Sequence, residues 1–436
     1  MTRIPKINVG LFGLGTVGGS VFQILKDHEH FIAEKIGYPI QITKICELDP
    51  KKKQQYELAS SILTNKISDI LDDPEISIVV ELIGDKPIAK EIMLKALSLG
   101  KHVVTANKAI LAHHGLELYS EAFKHEVDIY FEAAVAGSIP ILRTLREGFV
   151  SDKIISVQGI INGTSNYILT KMAKEKADFK VALADAQKNG YAEADPTSDI
   201  EGIDAACKLS ILATMAYGVF IPYDKIYRQG ISEITPFDIE MAQKFGFSLK
   251  LLAISRKTNQ EIDVRVHPTM IPATHLLAHV YGVLNAVMIE GEYMGPSVMM
   301  GKGAGGKPTA TAVASDIIEI ARNISRQVRG IPPLGFKAEN IQKAKIKPIE
   351  EIESEYYLRF TAVDKPGVFA KIAHVLGHHE ISIASVHQEG REEGHEVPIM
   401  VLTHRAKEKN VICALKEIDK LPTVAQKTLL IRIERS

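Results

Sequence analysis

The chain has 436 residues, 46% of them hydrophobic and 24% charged, a balance that suits several globular domains and excludes disordered, collagen-like and coiled-coil classes. Lysine plus arginine (52) nearly equals aspartate plus glutamate (53), so no global field draws the chain to nucleic acid or to an anionic membrane. Three scattered cysteines (Cys46, Cys207, Cys413) without CxxC spacing argue against a disulfide framework, and with no signal-type or membrane-length apolar run the expectation is a cytoplasmic protein.

The first third alternates β-branched runs with amphipathic stretches. Ile7–Leu11, Ile40–Cys46, Ile76–Ile83, Val103–Ala106 and Val127–Glu132 read as strands, with helices at Val17–Lys26 and Ala89–Leu99. Such alternation implies an α/β fold with a doubly wound parallel sheet. From about Ser138 to Met300, strands (Ile154–Ile161, Glu261–Val266) mix with long helices (Phe179–Asn189, Ile200–Tyr217), which reads as an α+β layer. A glycine-rich turn, Gly301–Gly306, precedes a helical run at Ala310–Arg322, and residues 327–354 read as a linker. The tail, 355–436, has the order strand, helix, strand, strand, helix, strand. That βαββαβ pattern describes a small module able to fold alone.

Gly13-Leu14-Gly15-Thr16-Val17-Gly18 follows the first strand and opens the first helix. Glycines there allow a tight turn and close approach of a pyrophosphate to the helix N-terminus, so the segment reads as a dinucleotide (NAD or NADP) site; a purely structural turn is the alternative. Glu47, at the end of the second strand, is placed to bind a ribose hydroxyl. Lys51-Lys52-Lys53 beyond it either hold a 2′-phosphate or form a solvated face.

Thr105-Ala106-Asn107-Lys108 ends a strand, at the edge where open α/β sheets bind ligands. The densest polar cluster runs from Tyr191 to Lys208 and contains Glu193, Asp199, Asp204 and Lys208. Asp204 and Lys208, four apart, share a face of a largely apolar helix, where charges are costly unless paired or functional; a surface ion pair is the plain alternative. Asn162–Asn166 either positions a ligand or caps a helix. Gly301–Pro308 nearly spells a phosphate loop, but Pro308 replaces the hydroxyl that would ligate magnesium. His275 and His279 lack the glutamate of HExxH, and His113-His114 and His378-His379 are merely adjacent, so none is read as a metal site.

Together these segments, with Glu132-Ala133-Ala134-Val135-Ala136-Gly137 and Gly303–Gly306, resemble the homoserine dehydrogenase family in order and spacing across essentially the whole chain. The tail, with Asp364-Lys365-Pro366-Gly367-Val368-Phe369, resembles the ACT regulatory module of the monofunctional bacterial form. The resemblance implies a Rossmann-type domain over 1–137 completed by 301–326, a substrate-binding and dimerisation domain over 138–300, and an ACT domain over 355–436. It implies interconversion of L-homoserine and L-aspartate 4-semialdehyde with NAD(H) or NADP(H), toward threonine, methionine and isoleucine.

Carried onto this chain, the resemblance makes Lys208 the proton donor, Lys108 a lysine at the nicotinamide end, Glu193 the ligand of the substrate amino group, and Asp199 and Asp204 supporting carboxylates. It places Gly13, Leu14, Gly15, Thr16, Val17, Gly18, Glu47, Thr105, Lys108, Gly303 and Gly305 at the cofactor. It also implies a Na⁺ or K⁺ site on backbone carbonyls of Glu132, Val135, Gly137 and Ile139. An amino-acid effector, threonine first, is expected near Asp364 and Gly367, in a homo-oligomer, dimer or tetramer. NADP-preferring relatives often carry arginine where this chain has Cys46-Glu47, which favours NAD. Two other classes would differ visibly: another amino-acid dehydrogenase would lack the Tyr191–Lys208 pattern, and a non-catalytic amino-acid sensor would lack Lys208.

Overall fold

The computed structural model describes residues 6–84, 86–258, 261–337, 340–343, 345–388 and 394–435. The first elements are β1 (Ile7–Phe12), α1 (Thr16–Asp27), β2 (Ile40–Cys46), β3 (Leu63–Thr64), β4 (Ile76–Glu81), α2 (Pro87–Ser98), β5 (His102–Thr105), α3 (Lys108–Lys124) and β6 (Ile129–Tyr130). Their strands form one parallel sheet in the order β3-β2-β1-β4-β5-β6. Parallel strands are covered on both faces, which is why β1 and β4 are near-continuous apolar runs with Val9, Leu11, Ile78 and Val80 fully buried. The strand order reverses between β1 and β4. Their carboxyl ends therefore border the crevice where such sheets bind ligands. The run Val127–Glu132 yields only a two-residue strand, because Glu132–Ala134 turns into a single 3₁₀ turn.

Further along lie β7 (Ile154–Ile160), α4 (Thr197–Ile200), α5 (Ile203–Tyr217), α6 (Pro236–Lys244), β8 (Phe247–Lys257), β9 (Ile262–Pro272), β10 (Leu284–Gly291), β11 (Gly295–Lys302) and α7 (Gly306–Arg326). The helix expected over Ile200–Tyr217 is broken before Ile203. Gly202 adopts φ +75 against Val266, a left-handed conformation that a continuing helix does not accept. The tail contains β12 (Glu353–Val363), α8 (Val368–His378), β13 (Ile383–Gln388), β14 (Glu396–Thr403), α9 (Glu408–Ile418) and β15 (Val424–Ile433). No described helix is long and apolar enough to cross a membrane.

The chain divides into two compact units: Met1–Gly163 with Asp204–Ile226 and Val283–Ala344, and Thr164–Ile203 with Tyr227–Gly282 and Lys345–Ser436. In the first unit the parallel sheet is accompanied by antiparallel β7-β10-β11. Val313, Ile317 and Ile320 of α7 return to the core of the parallel sheet, closing it with β1 and α1. In the second unit β8 pairs with β9, and the tail packs α8 and α9 on its sheet through Leu358, Phe360, Ile372, Leu376, Val411 and Ile418.

The tail is not a loosely tethered module within that unit. β15 pairs in parallel with β9 at Thr269↔Arg432 and Met270↔Ile433. Arg432, ion-paired with Glu408, reaches the Gln229 amide oxygen at 2.9 Å and the Tyr227 hydroxyl at 3.1 Å. Arg359 of β12 donates twice to Asp238 of α6, at 2.7 and 3.2 Å, and Tyr357 adds a further bond to that carboxylate. Glu434 accepts from Arg256 and Arg265. Asp238 and Arg265, two buried charges of the middle segment, thus find partners in the tail, which the pattern of apolar residues could not reveal.

The stretch expected as a linker is anchored at several points, with most of its described residues exposed. Arg329 donates to the Phe123 carbonyl at 3.2 Å and stacks on that ring. Phe336 lies against Gly218, where a Cβ would come within 2.7 Å of its ring, and Gln342–Lys343 pairs with Val219–Phe220.

Candidate active site

Gly13 leaves β1 with φ +89, and a Cβ there would stand 2.7 Å from the Leu82 carbonyl oxygen; one on Gly18 would strike the Gly13 carbonyl. These two glycines make the turn possible. Gly15 faces open space, with nothing within 4 Å of an added Cβ, and it precedes α1 without any side-chain cap. Uncapped N–H groups at an open helix N-terminus are what a pyrophosphate requires, so the residues present fit a dinucleotide. Leu14 is buried beneath the turn, while Thr16 and Val17 open the helix. Gly306 packs on Thr16 and Ser20, which brings the Gly303–Gly305 loop to the glycine turn.

Glu47 directly follows β2, where the strand pattern put it, and braces the turn. Its Oε2 accepts the Leu14 N–H at 2.7 Å, and Oε1 accepts those of Leu48 and Asp49. The negative charge is thereby fixed beside the glycine turn. Lys52 and Lys53 beyond it bond Gln55 and Ser60.

At the end of β5, Thr105 donates to the Glu81 carboxylate at 2.8 Å and accepts the Asn107 N–H. Asn107 caps α3 through Ile110 N–H and also holds the Gly84 carbonyl, so Lys108 begins a helix whose start is pinned to two strand ends. Glu81 is fully buried, and that burial pushes its carboxyl up despite the bonds from Thr105 and Ile83. A glutamate closing the apolar run Ile76–Val80 was the signal for this support, and sequence reading passed over it.

Lys108 Nζ lies 3.3 Å from Asp204 Oδ1, and Lys208 Nζ lies 2.7 Å from Asp204 Oδ2. Asn162 donates to the same Oδ2 at 2.9 Å, while Lys208 also donates to the Ile161 carbonyl at 2.8 Å. The side chains are unequally covered: Lys208 is 12% exposed, Asp204 8% and Lys108 40%. Burial alone would raise the Asp204 carboxyl, but Lys208 and then Lys108 outweigh it and hold that carboxyl below its usual range. An ammonium has three N–H donors, of which Lys208 commits two to Asp204 and Ile161. The third makes no hydrogen bond among the described residues. The plain surface-pair alternative fails here, because both partners are largely buried and a second lysine converges on the same carboxylate.

Glu132 contributes more than a carbonyl. Its buried carboxylate accepts the N–H groups of Leu142 and Arg143, and its own N–H donates to Asp316 of α7 at 2.8 Å. Burial, then the neighbouring Asp316, pushes Glu132 up to about 7, and burial pushes Asp316 to about 6. The loop from Val135 to Ile139 includes a left-handed pair, Ala136 and Gly137, with Gly137 pressed on the Gly303 carbonyl. Asn285, next to Gly303, is buried with neither end of its amide hydrogen-bonded. Nothing in its sequence surroundings marked it.

In the second unit Glu193 is exposed, with its carbonyl held by Gln187, and the Asp199 carbonyl accepts from Ser165 at 2.8 Å. Gly367, at φ +86, opens α8 without a side-chain cap, and the Asp364 backbone is tied to Gly394 and His395.

Three family profiles match the chain: "Homoserine dehydrogenase, NAD binding domain" over residues 13–132, "Homoserine dehydrogenase" over 140–318, and "ACT domain" over 356–422. The chain belongs to the homoserine dehydrogenase family. As a member it is an oxidoreductase acting on a CH–OH group. The homoserine dehydrogenase of Pseudomonas aeruginosa is 42% identical over 99% of this chain and 100% of its own length, and that of Bacillus subtilis 40% identical over 99% of each. A solved homoserine dehydrogenase from Thiobacillus denitrificans superposes with TM-score 0.92 at 42% identity, covering 99% of this chain and 98% of that one. A hyperthermophilic archaeal homoserine dehydrogenase in complex with NADPH covers 72% of this chain and 98% of its own, with TM-score 0.62 and 28% identity.

Proposed function

We propose that the chain interconverts L-homoserine and L-aspartate 4-semialdehyde with NAD(H) or NADP(H), as a cytoplasmic homo-oligomer serving threonine, methionine and isoleucine synthesis. The observation that carries the reading is the largely buried Asp204–Lys208 pair with Lys108 converging on the same carboxylate. The glycine turn at Gly13–Gly18, Thr105 and the Gly303–Gly305 loop hold the dinucleotide, whose nicotinamide supplies the hydride exchange at the substrate carbon. Lys208 gives a proton to the substrate oxygen in aldehyde reduction and removes it in homoserine oxidation. Asp204 fixes the Lys208 ammonium, and Lys108 adds positive charge at the oxygen where negative charge develops. Glu193 takes the substrate ammonium, with Asp199 as a supporting carboxylate that holds the substrate.

The loop 132–139 offers hard carbonyl oxygens of Glu132, Val135, Gly137 and Ile139 to a monovalent cation. The tail imposes feedback by an amino acid, threonine first, through the turn Asp364–Gly367. Its division of labour follows the expected domains: 1–137 with 301–326 for the cofactor, 138–300 for substrate and dimerisation, 327–354 as a connector, and 355–436 for regulation.

The test is oxidation of L-homoserine by the full chain with each cofactor, followed by nicotinamide absorbance. The kcat/KM with NAD is expected to equal or exceed that with NADP, because Glu47 fixes a negative charge where a 2′-phosphate would sit. A ratio strongly favouring NADP would assign that phosphate to Lys51–Lys53. No oxidation with either cofactor would remove the proposed reaction.

A further inference from the structure

Asn285 is the second residue of β10 and is 1% exposed, and among the described residues neither Oδ1 nor Nδ2 of its side chain has a hydrogen-bond partner. Leaving both ends of a buried amide unmet is costly, and an apolar residue of similar size would avoid that cost. Its neighbours are specific. A Cβ on Gly303 would overlap the Asn285 amide, so the Gly303–Gly305 loop lies directly on it, and a Cβ on Gly163 would stand 3.5 Å from Oδ1. Gly163 follows Asn162, which holds Asp204. β10 pairs with β7 at Ala286↔Ile160, so one step along the ladder Asn285 stands level with Ile161, the carbonyl that receives Lys208. All of these residues belong to the first unit.

An unmet donor and an unmet acceptor thus lie side by side where the loop proposed to hold the dinucleotide meets the residues that hold Asp204 and Lys208. A substrate ammonium would answer Oδ1 alone and a carboxylate Nδ2 alone, each bringing a charge to a neutral, buried group. A primary carboxamide answers both ends at once, because it carries the same C=O and NH₂ in one plane at the same spacing. The nicotinamide ring bears that group. We propose that Asn285 recognises the nicotinamide carboxamide through a paired amide–amide hydrogen bond and so fixes the orientation of the ring. Asn285 is then a cofactor-binding residue with no part in proton transfer. The pairing requires the Gly303 backbone, which covers the amide here, to move aside as the dinucleotide enters. The assignment rests on the dinucleotide reading of the glycine turn.

The experiment is calorimetric titration of the full chain, without substrate, with three ligands. These are whichever of NAD and NADP binds more tightly, its 3-acetylpyridine analogue, and the matching fragment without the ring, ADP-ribose or its 2′-phosphate. The analogue keeps the carbonyl and replaces NH₂ by a methyl group, so it is expected to bind the unmodified chain about fivefold or more weakly than the natural cofactor. Asn285→Leu should weaken the natural cofactor about tenfold and abolish discrimination against the analogue, while the ringless fragment binds within about twofold of its affinity for the unmodified chain. Amide exchange in β10 of the ligand-free variant should be no faster, since two unmet polar atoms have been removed. Asn285→Ala, which truncates instead of replacing, should show the same loss of discrimination and serves if the leucine disturbs packing.

Cofactor affinity and discrimination unchanged in both variants would overturn the assignment and mean that the amide is met by trapped water. Equal weakening of the cofactor and the ringless fragment would also overturn it, leaving Asn285 as a support of the Gly303 loop. If those results came with normal homoserine oxidation, the dinucleotide reading would stand and the Asn285 assignment alone would fail. No binding of either dinucleotide to the unmodified chain would overturn both.

Discussion

Lys208→Ala is expected to lower homoserine turnover by ~10²–10⁴-fold, the range for loss of a positioned general acid, while cofactor affinity stays near that of the unmodified chain. The separation follows from position. In the proposed function the dinucleotide rests on the glycine turn and α1, whereas Lys208 sits on α5 and is held by Asp204 and the Ile161 carbonyl. Removing it still leaves Asp204 paired with Lys108 and hydrogen-bonded by Asn162, so the carboxylate is not stranded. Cofactor titration by fluorescence beside steady-state kinetics checks both halves. Turnover close to that of the unmodified chain would take Lys208 out of the chemistry, and loss of cofactor binding would show a folding defect.

Arg432→Ala is expected to be the most damaging substitution for stability in the second unit. Its side chain is 3% exposed and that of Glu408 2%, so truncation strands a buried carboxylate and costs about 3–5 kcal/mol. It also releases Gln229 and Tyr227. A chain with two compact units does not melt as one transition, so amide hydrogen exchange is the suitable measurement. Protection should fall in β9 and β15 together, with the parallel sheet of the first unit unaffected. Arg432→Lys should rescue only part, since an ammonium cannot reproduce the guanidinium fork. A chain cut after Arg326 should aggregate, because it leaves β9 without β15. Unchanged protection in Arg432→Ala, or a folded, active fragment 1–326, would show that these ties are dispensable.

Much of the first unit was legible because its signals are local. β2 follows its apolar run to the residue, and the glycine turn sits where strand meets helix. The i,i+4 spacing of Asp204 and Lys208 placed them together correctly. What was not legible depends on long-range contacts. No local pattern linked Lys108 to Asp204, 96 positions away, or set Asn162 on the oxygen that Lys208 holds. Glu47 stood where expected, yet its hold on the Leu14 N–H belongs to the folded turn rather than to any motif. The tail's βαββαβ order was readable, but its attachment was not. Asp238, Arg265 and Gln229 look like surface residues until Arg359, Glu434 and Arg432 meet them.

The central claim is that Asp204 and Lys208 act as one catalytic unit, and a double-mutant cycle on kcat/KM for homoserine tests it most directly. With Asp204→Asn and Lys208→Ala, each single substitution is expected to cost about 10²-fold or more, and the double substitution no more than a few-fold beyond the worse single one. Losses that multiply in the double variant would mean that the two residues contribute independently and would contradict the account.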